Sequence, residues 1–322
     1  MLNVIVIGLG PIGIEVAKAV QKDRGMKLVG VVDVSPEKVG RTIQGLPRTL
    51  GHLEETLPRK PHVAIISTTS SFQHIVPLLV DCMWHGIHVV SSCEEMSEPW
   101  FRHKKLADQM NAEAKHRRVA LLGTGVNPGF VMDLWPAMLS SMVTRVDGIK
   151  ITRRLDASKR RIPLQAKVGA TMSVSHFKLL ARQGKIGHMG IGESVSLLAR
   201  ALGRAAHPKD VKITLDPVVA KRPMKSALGP IKSGMVCGMR NTATFKAPGL
   251  SIHLDLTMAI AAKDPEDRVE IDGPVPLTAI IPGSTPGDTA TVAALVNCAR
   301  LVPTVSPGLR TMIDLPPATC RQ

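Results

Sequence analysis

The 322-residue sequence contains no tyrosine, and five phenylalanines and three tryptophans are its whole aromatic content. So little aromatic surface leaves few platforms for stacking unpaired bases. A formal charge of +15 would otherwise invite a nucleic acid. The bases are scattered in short clusters such as Arg117-Arg118, Arg153-Arg154 and Lys159-Arg160-Arg161. They read as a solvated surface that spares a few cations for a phosphate-bearing cofactor or a carboxylate, so no nucleic-acid partner is expected. The five cysteines are odd in number and form no C-x-x-C pair. That excludes a disulfide frame and a zinc site, and it predicts reduced thiols in a cytoplasmic protein with no metal. No apolar run approaches the ~20 residues of a membrane helix, so no membrane partner is expected. The N-terminus reads straight into a strand, with no cleavable leader to set aside. No P-loop, H-E-x-x-H or Ser/His/Asp order is present, which leaves hydrolase and kinase chemistry without support.

What is present begins at Val4-Ile5-Val6-Ile7-Gly8-Leu9-Gly10-Pro11-Ile12-Gly13. A β-branched run enters a G-x-G-x-x-G turn, and an Ala-rich helical pattern leaves it. Gly8 permits the tight turn, Gly10 leaves room for a pyrophosphate, and Gly13 lets the helix lie against the strand. Pro11 opens the helix without an N–H of its own, and the free N–H groups from Ile12 onward mark the phosphate end. A second strand runs from Lys27 to Val32 and ends at Asp33, twenty residues past Gly13, where a carboxylate holds the adenosine ribose hydroxyls. Asp33 favours NAD over NADP, whereas Lys38 and Arg41 offer cations to a 2′-phosphate, so the cofactor is NAD or NADP.

Apolar strands then alternate with helical patterns: His62–Ser67, Gln73–Trp84, Ile87–Ser92, a helix running to His116 behind Ser97 as cap, Val119–Leu122 and Val131–Met142. This is the α/β signature of a Rossmann-type doubly wound parallel sheet. From Arg145 onward, alternating strands with helices to one side predict a second, α+β domain. The expected division is a dinucleotide-binding domain over 1–143, a substrate and dimerisation domain over 144–287, and a C-terminal helix and tail over 288–322 that returns to the first domain. Strand ends on the ligand side of such a sheet carry the candidates. Thr68 and Ser70 follow one strand; Cys93, Glu94 and Glu95 follow the next; Asn127 and Phe130 lie in the glycine-rich loop after the third. Either glutamate beside a nicotinamide suits a general base, with the start of a helix as the plain alternative. Substrate contacts are placed on Phe130, Arg161, Met172 and His253; lone histidines in strands, such as His88 and His253, are more often structural.

Several segments together resemble one family, the 2,4-diaminopentanoate dehydrogenases and related amine dehydrogenases. They are Gly8–Gly13, Val89-Val90-Ser91-Ser92-Cys93-Glu94-Glu95-Met96-Ser97, Gly125-Val126-Asn127-Pro128-Gly129-Phe130, Asp156–Arg161, Gly187-His188-Met189-Gly190, Pro282–Thr291 and Pro307–Pro316. The resemblance implies a dihydrodipicolinate-reductase-like nucleotide domain, an α+β domain that builds substrate cleft and dimer, and a catalytic glutamate in the Ser-Cys-Glu-Glu segment. It implies NAD(P)-dependent oxidative deamination of a primary amine or diamino acid, reversible as reductive amination of a ketone or aldehyde with ammonia, by a homodimer. Two alternatives stay open at this stage: another small-substrate dehydrogenase of the dihydrodipicolinate reductase or homoserine dehydrogenase type, and a non-enzymatic dinucleotide-binding redox sensor.

Overall fold

Short aliphatic runs bounded by glycine and polar turns give the first half of the chain. In order these are β1 (Leu2–Ile7), α1 (Pro11–Lys22), β2 (Met26–Val32), β3 (Val63–Ile66), α2 (Phe72–Trp84), β4 (His88–Ser91), α3 (Trp100–His116), β5 (Ala120–Gly123) and α4 (Leu134–Leu139). The second half contains β6 (Gly148–Asp156), α5 (Ile162–Lys167), α6 (Val174–Arg182), α7 (Ile191–Ala201), β7 (Val211–Val219), β8 (Met224–Ser226), β9 (Gly229–Ile231), β10 (Val236–Ala247), β11 (Leu250–Ala259), β12 (Glu266–Asp272), β13 (Leu277–Pro282), α8 (Gly287–Leu301) and β14 (Gly308–Arg310). This computed structural model describes residues 1–158 and 161–320, so Lys159 and Arg160 of the basic cluster lie outside the described residues. Two units emerge, Met1–Phe130 with Pro286–Gln322, and Val131–Thr285.

In the first unit six parallel strands lie in the order β14-β5-β4-β3-β1-β2. β3 and β5 are buried along their whole length, which is why their sequences lack polar alternation. From β1 the chain moves outward to β2 and then back to β3 on the other side, so the crossovers reverse between β1 and β3. Ligands of open α/β sheets bind at that reversal, beyond the carboxyl ends of the strands. The core packs Ile5, Ile66, Phe72, Leu79, Val89 and Leu121 into one cluster, each contributing about 1.5–3 kcal/mol of transfer free energy. Arg300 of α8 pairs with Asp23 at the end of α1, tying the returning helix to the unit.

At the opposite, amino-terminal edge of the sheet two histidines take over ladder bonds. His62 Nδ1 accepts from the amide of Asn3 at 2.9 Å, and His88 Nδ1 accepts from the amide of Ala120 at 3.0 Å. A nitrogen that accepts from a backbone amide carries no proton, which favours the Nε2–H tautomer for His88. Burial, and then the neighbouring His62, push the pKa of His88 below its ordinary value. The unfolded chain therefore takes up more protons as pH falls through about 6.5, and stability falls with it. We expect the melting temperature to drop between pH 7.5 and 5.5 by scanning fluorimetry, and His88→Gln to flatten that dependence.

The second unit is built on a mixed sheet in the order β13-β12-β6-β11-β10-β7, in which only β6 and β11 run parallel. Alternation is clean on β11, where Leu250, Ile252, Leu254 and Leu256 are buried and the residues between them are not. The buried α7 packs against β10 and β11. Arg153 and Asp267 face each other across β6 and β12 at 2.8 Å, both essentially solvent-free. Arg153 also donates to the carbonyl of Thr285, and Asp267 accepts the Thr285 amide at 2.7 Å. Removing one member leaves the other charged and dry. Asp267→Ala is expected to lower stability by about 3–5 kcal/mol in urea titration, the usual scale for a broken buried pair.

The structure corrects several boundaries. The first unit ends at Phe130 rather than at residue 143. The reason is Asp133, fully buried, which accepts from Ser194 of α7 at 2.7 Å and from the amide of Leu134, drawing this stretch into the second unit. The expected helix over Val131–Met142 shortens to α4. Ser97 does not cap α3; its hydroxyl donates to the carbonyl of Glu94 at 2.7 Å, and Pro99 stands at the cap position. The short elements α5, β8, β9, β13 and β14 carry too little periodicity to be seen in the sequence.

Candidate active site

The glycine turn has three glycines for three different reasons. Gly8 takes φ +90°, and a Cβ there would lie 2.6 Å from the carbonyl oxygen of Ser67. A Cβ on Gly13 would come within 1.8 Å of the carbonyl oxygen of Gly8, so helix and strand meet through bare backbone. Around Gly10, by contrast, nothing stands within 4 Å of the same position. The space is open at the start of α1, where Gly10 is the cap and Pro11 the first helical residue. Unpaired amides in the first turn and free room beside Gly10 fit a pyrophosphate.

Asp33 closes the other side of the turn. Its carboxylate accepts from the amide of Leu9 at 2.7 Å, from the amide of Ser35 at 2.9 Å and from Lys38 Nζ at 2.9 Å. Burial works to raise its pKa, but the hydrogen bonds from Lys38, Ser35 and Leu9 outweigh it and hold the carboxyl below the usual range. Asp33 is therefore an ionised acceptor fixed beside the turn, as a ribose-binding carboxylate must be. A dinucleotide fits these residues.

The ends of β3, β4 and β5 complete this edge. Thr68 is exposed and Ser70 half-buried in the loop before α2. After β4, residues Glu94–Ser97 form a 3₁₀ turn. Within it the two glutamates diverge. Glu95 is 8% exposed, and its Oε2 accepts from the Phe72 amide at 2.8 Å and lies 3.1 Å from His103 Nε2. Glu94 is half-buried, and its carboxylate has no hydrogen-bond or ion-pair partner among the described residues. Cys93 belongs to the core, and burial pushes its thiol up to about 12, so only its backbone is available to a cofactor. In the loop after β5 a Cβ on Gly129 would strike the amide of Gly125 at 2.4 Å, the Asn127–Pro128 bond is cis, and Phe130 is 38% exposed.

One edge of the first unit thus brings together Gly8, Gly10, Pro11, Ile12, Gly13, Asp33, Lys38, Thr68, Ser70, Glu94 and Asn127. The expected substrate contacts of the second unit do not converge. Met172 binds back to the start of β10 through Val236, whose amide donates to the Met172 carbonyl at 2.9 Å. His253 pairs with Thr244 at 2.9 Å, eight residues further along the same strand. At about 3.4 Å per residue that is roughly 27 Å away. His253 is held in the polar face of the sheet, the plain structural role for a strand histidine. Arg161 precedes α5, nearer the Met172 end, since Ala157 bonds to Ala259 beside Gly238. The sequence reading missed His103, because nothing in its spacing from Glu95 marks the contact. Among the described residues no cluster could hold a metal ion, and no helix is long and apolar enough to cross a membrane.

Comparison with known proteins meets this geometry at both ends of the chain. Residues 130–321 match the 2,4-diaminopentanoate dehydrogenase C-terminal domain. The chain belongs to the 2,4-diaminopentanoate dehydrogenase family. Residues 1–92 match the CoA binding domain family, a span that contains the glycine turn. Over its length the chain is 29% identical to 2,4-diaminopentanoate dehydrogenase of Acetoanaerobium sticklandii, covering 98% of this chain and 93% of the relative. It is 25% identical to an amine dehydrogenase of Streptomyces virginiae over 63% of this chain and 60% of that one. The fold matches the structure of amine dehydrogenase from Mycobacterium smegmatis with a TM-score of 0.84 and 24% identity, over 99% of this chain and 97% of the other. The family member described here is an NAD(P)-dependent oxidoreductase. The glycine geometry yields a direct test. Gly10→Ala should fold with an unchanged melting temperature and weaken NADH binding by about tenfold or more, read by nicotinamide fluorescence, because its methyl fills the pyrophosphate space. Gly8→Ala should lose stability instead.

Proposed function

We propose that the chain is an amine dehydrogenase that oxidatively deaminates a primary amine or diamino acid and, in reverse, aminates a ketone or aldehyde with ammonia, with Glu94 as general base. The observation that carries this is the unpaired, half-buried Glu94 carboxylate at the end of β4, in a chain of the diaminopentanoate dehydrogenase family. Gly8, Gly10, Gly13 and Asp33 would hold the dinucleotide, with Lys38 beside the adenosine ribose. When bound, the nicotinamide accepts or returns the hydride. Glu94 takes a proton from the substrate ammonium, freeing the nitrogen lone pair that drives hydride loss from the adjacent carbon. Once that proton has passed to solvent, the regained carboxylate charge offsets the cationic C=N that results; the carboxylate then removes a proton from the water that adds to that carbon and returns it to the nitrogen as ammonia leaves. The products are ketone, ammonia and reduced cofactor, and every proton released passes through one carboxylate.

Asn127 and Phe130 lie on the same edge and are assigned to cofactor and substrate, respectively. The second unit is assigned the substrate side and the dimer surface, with Met172 and Arg161 as its contacts; resemblance to the family supports this. Five unbridged cysteines support a reducing, cytoplasmic setting. The amine reading is favoured over the other two alternatives by the relatives named above. Glu94→Gln should cut ketone-dependent NADH oxidation in ammonia by about a thousandfold or more while NADH still binds, the scale of losing a positioned base. Full activity in that variant, assayed on short ketones and aldehydes, would sink the mechanism.

A further inference from the structure

Next to the unpaired Glu94 stands Glu95, which is engaged at once by the loop before α2, the start of α2 and α3. Ser71 occupies the cap position of α2 but makes no capping hydrogen bond. The amide of Phe72, an otherwise unsatisfied donor at the helix start, is taken by Glu95 from twenty-three residues away. A carboxylate there also meets the positive end of the helix dipole. The same Oε2 faces His103 Nε2. An ionised carboxylate only accepts, so Nε2 carries the hydrogen of this contact. His103 is the one residue of α3 with non-helical angles, φ −126° and ψ 41°, and its ring also lies 5.9 Å from that of Phe72. The Glu95 amide in turn donates to the carbonyl of Ser70 at 3.3 Å.

These contacts join the parts that the chemistry requires. Ser70 belongs to the loop after β3 and Phe72 opens α2 at its end; the Ser67 carbonyl and Thr68 methyl of that loop stand where a Cβ on Gly8 would fall. On the other side, a Cβ on Gly123 would lie 2.3 Å from the Met96 carbonyl, so the turn that carries Glu94 rests on the end of β5. One buried carboxylate therefore fixes the turn bearing Glu94 to the loop that walls the glycine turn, and α3 is bent to supply its second donor. We propose that Glu95 and His103 are positioning residues that hold Glu94 in register with the dinucleotide site, and that Glu95 takes no proton from substrate. This rests on Glu94 being the base.

The test uses the full-length protein, with NADH affinity by fluorescence, steady-state amination of a ketone and melting temperature measured for Glu94→Gln, Glu95→Gln, Glu95→Ala and His103→Ala. Glutamine keeps an oxygen for the Phe72 amide, so Glu95→Gln should stay within about fivefold of the parent kcat. Glu95→Ala should lose about a hundredfold in kcat with NADH affinity changed by less than about threefold, the scale of an ångström of misplacement. His103→Ala should fall between them. If Glu95→Ala does not fold, Glu95→Gln and His103→Ala carry the test. A Glu95→Gln variant as inactive as Glu94→Gln overturns the proposal, because it makes Glu95 a reacting group; so does full kcat in Glu95→Ala or His103→Ala. A fully active Glu94→Gln, by contrast, removes the base itself, a failure of the mechanism that shows separately.

Discussion

Backbone against backbone at the first turn is the constraint from which the rest of the first unit follows. Gly13 and Gly8 meet so closely that no side chain fits between them, and Gly8 in turn rests on the carbonyl of Ser67. That double contact fixes α1 against β1 and β1 against the loop after β3. It leaves the amides of α1 pointing outward, beside Gly10, the one glycine of the turn whose surroundings are empty. Asp33 then adds a second brace by accepting the Leu9 amide. The result is a rigid, preorganised edge whose donors need no rearrangement to meet a phosphate.

Charge is placed on this edge with the same economy. Two carboxylates, Asp33 and Glu95, are spent on backbone amides and one basic partner each, and both hold loops. Glu94 alone is left uncommitted. The large excess of positive charge on the chain plays no visible part at these three positions, apart from Lys38 and His103. A basic surface and a locally acidic edge coexist because at this range direct hydrogen bonds, not net charge, hold Asp33 and Glu95 in place.

Much of this was legible in the sequence. The β-branched strands, the glycine spacing and the acid after β2 each encode a local, periodic requirement, and those survive translation into structure. What was hidden depends on contacts between distant segments. The pair Glu94-Glu95 is symmetrical on paper; only the amide of Phe72 and the ring of His103 separate the two. Asp133 caps α4, and nothing in the sequence shows that Ser194 shares its carboxylate. His253 looked available because a strand sequence does not reveal which face its side chain joins, or that Thr244 lies opposite. Short elements such as β14 and β13 are made by their neighbours rather than by their own composition.

The two units also differ in how the chain supplies them. Val131–Thr285 is continuous, whereas the first unit is assembled from segments on either side of it and takes α8 and the edge strand β14 from residues that follow Thr285. During synthesis the second unit has all its strands before the first can close its sheet or receive Arg300 against Asp23. The dinucleotide edge, although it precedes the second unit in the sequence, thus gains its full support only after that unit has been made. Until then the flank of β5 remains an open strand edge that a nascent chain must keep from pairing with another.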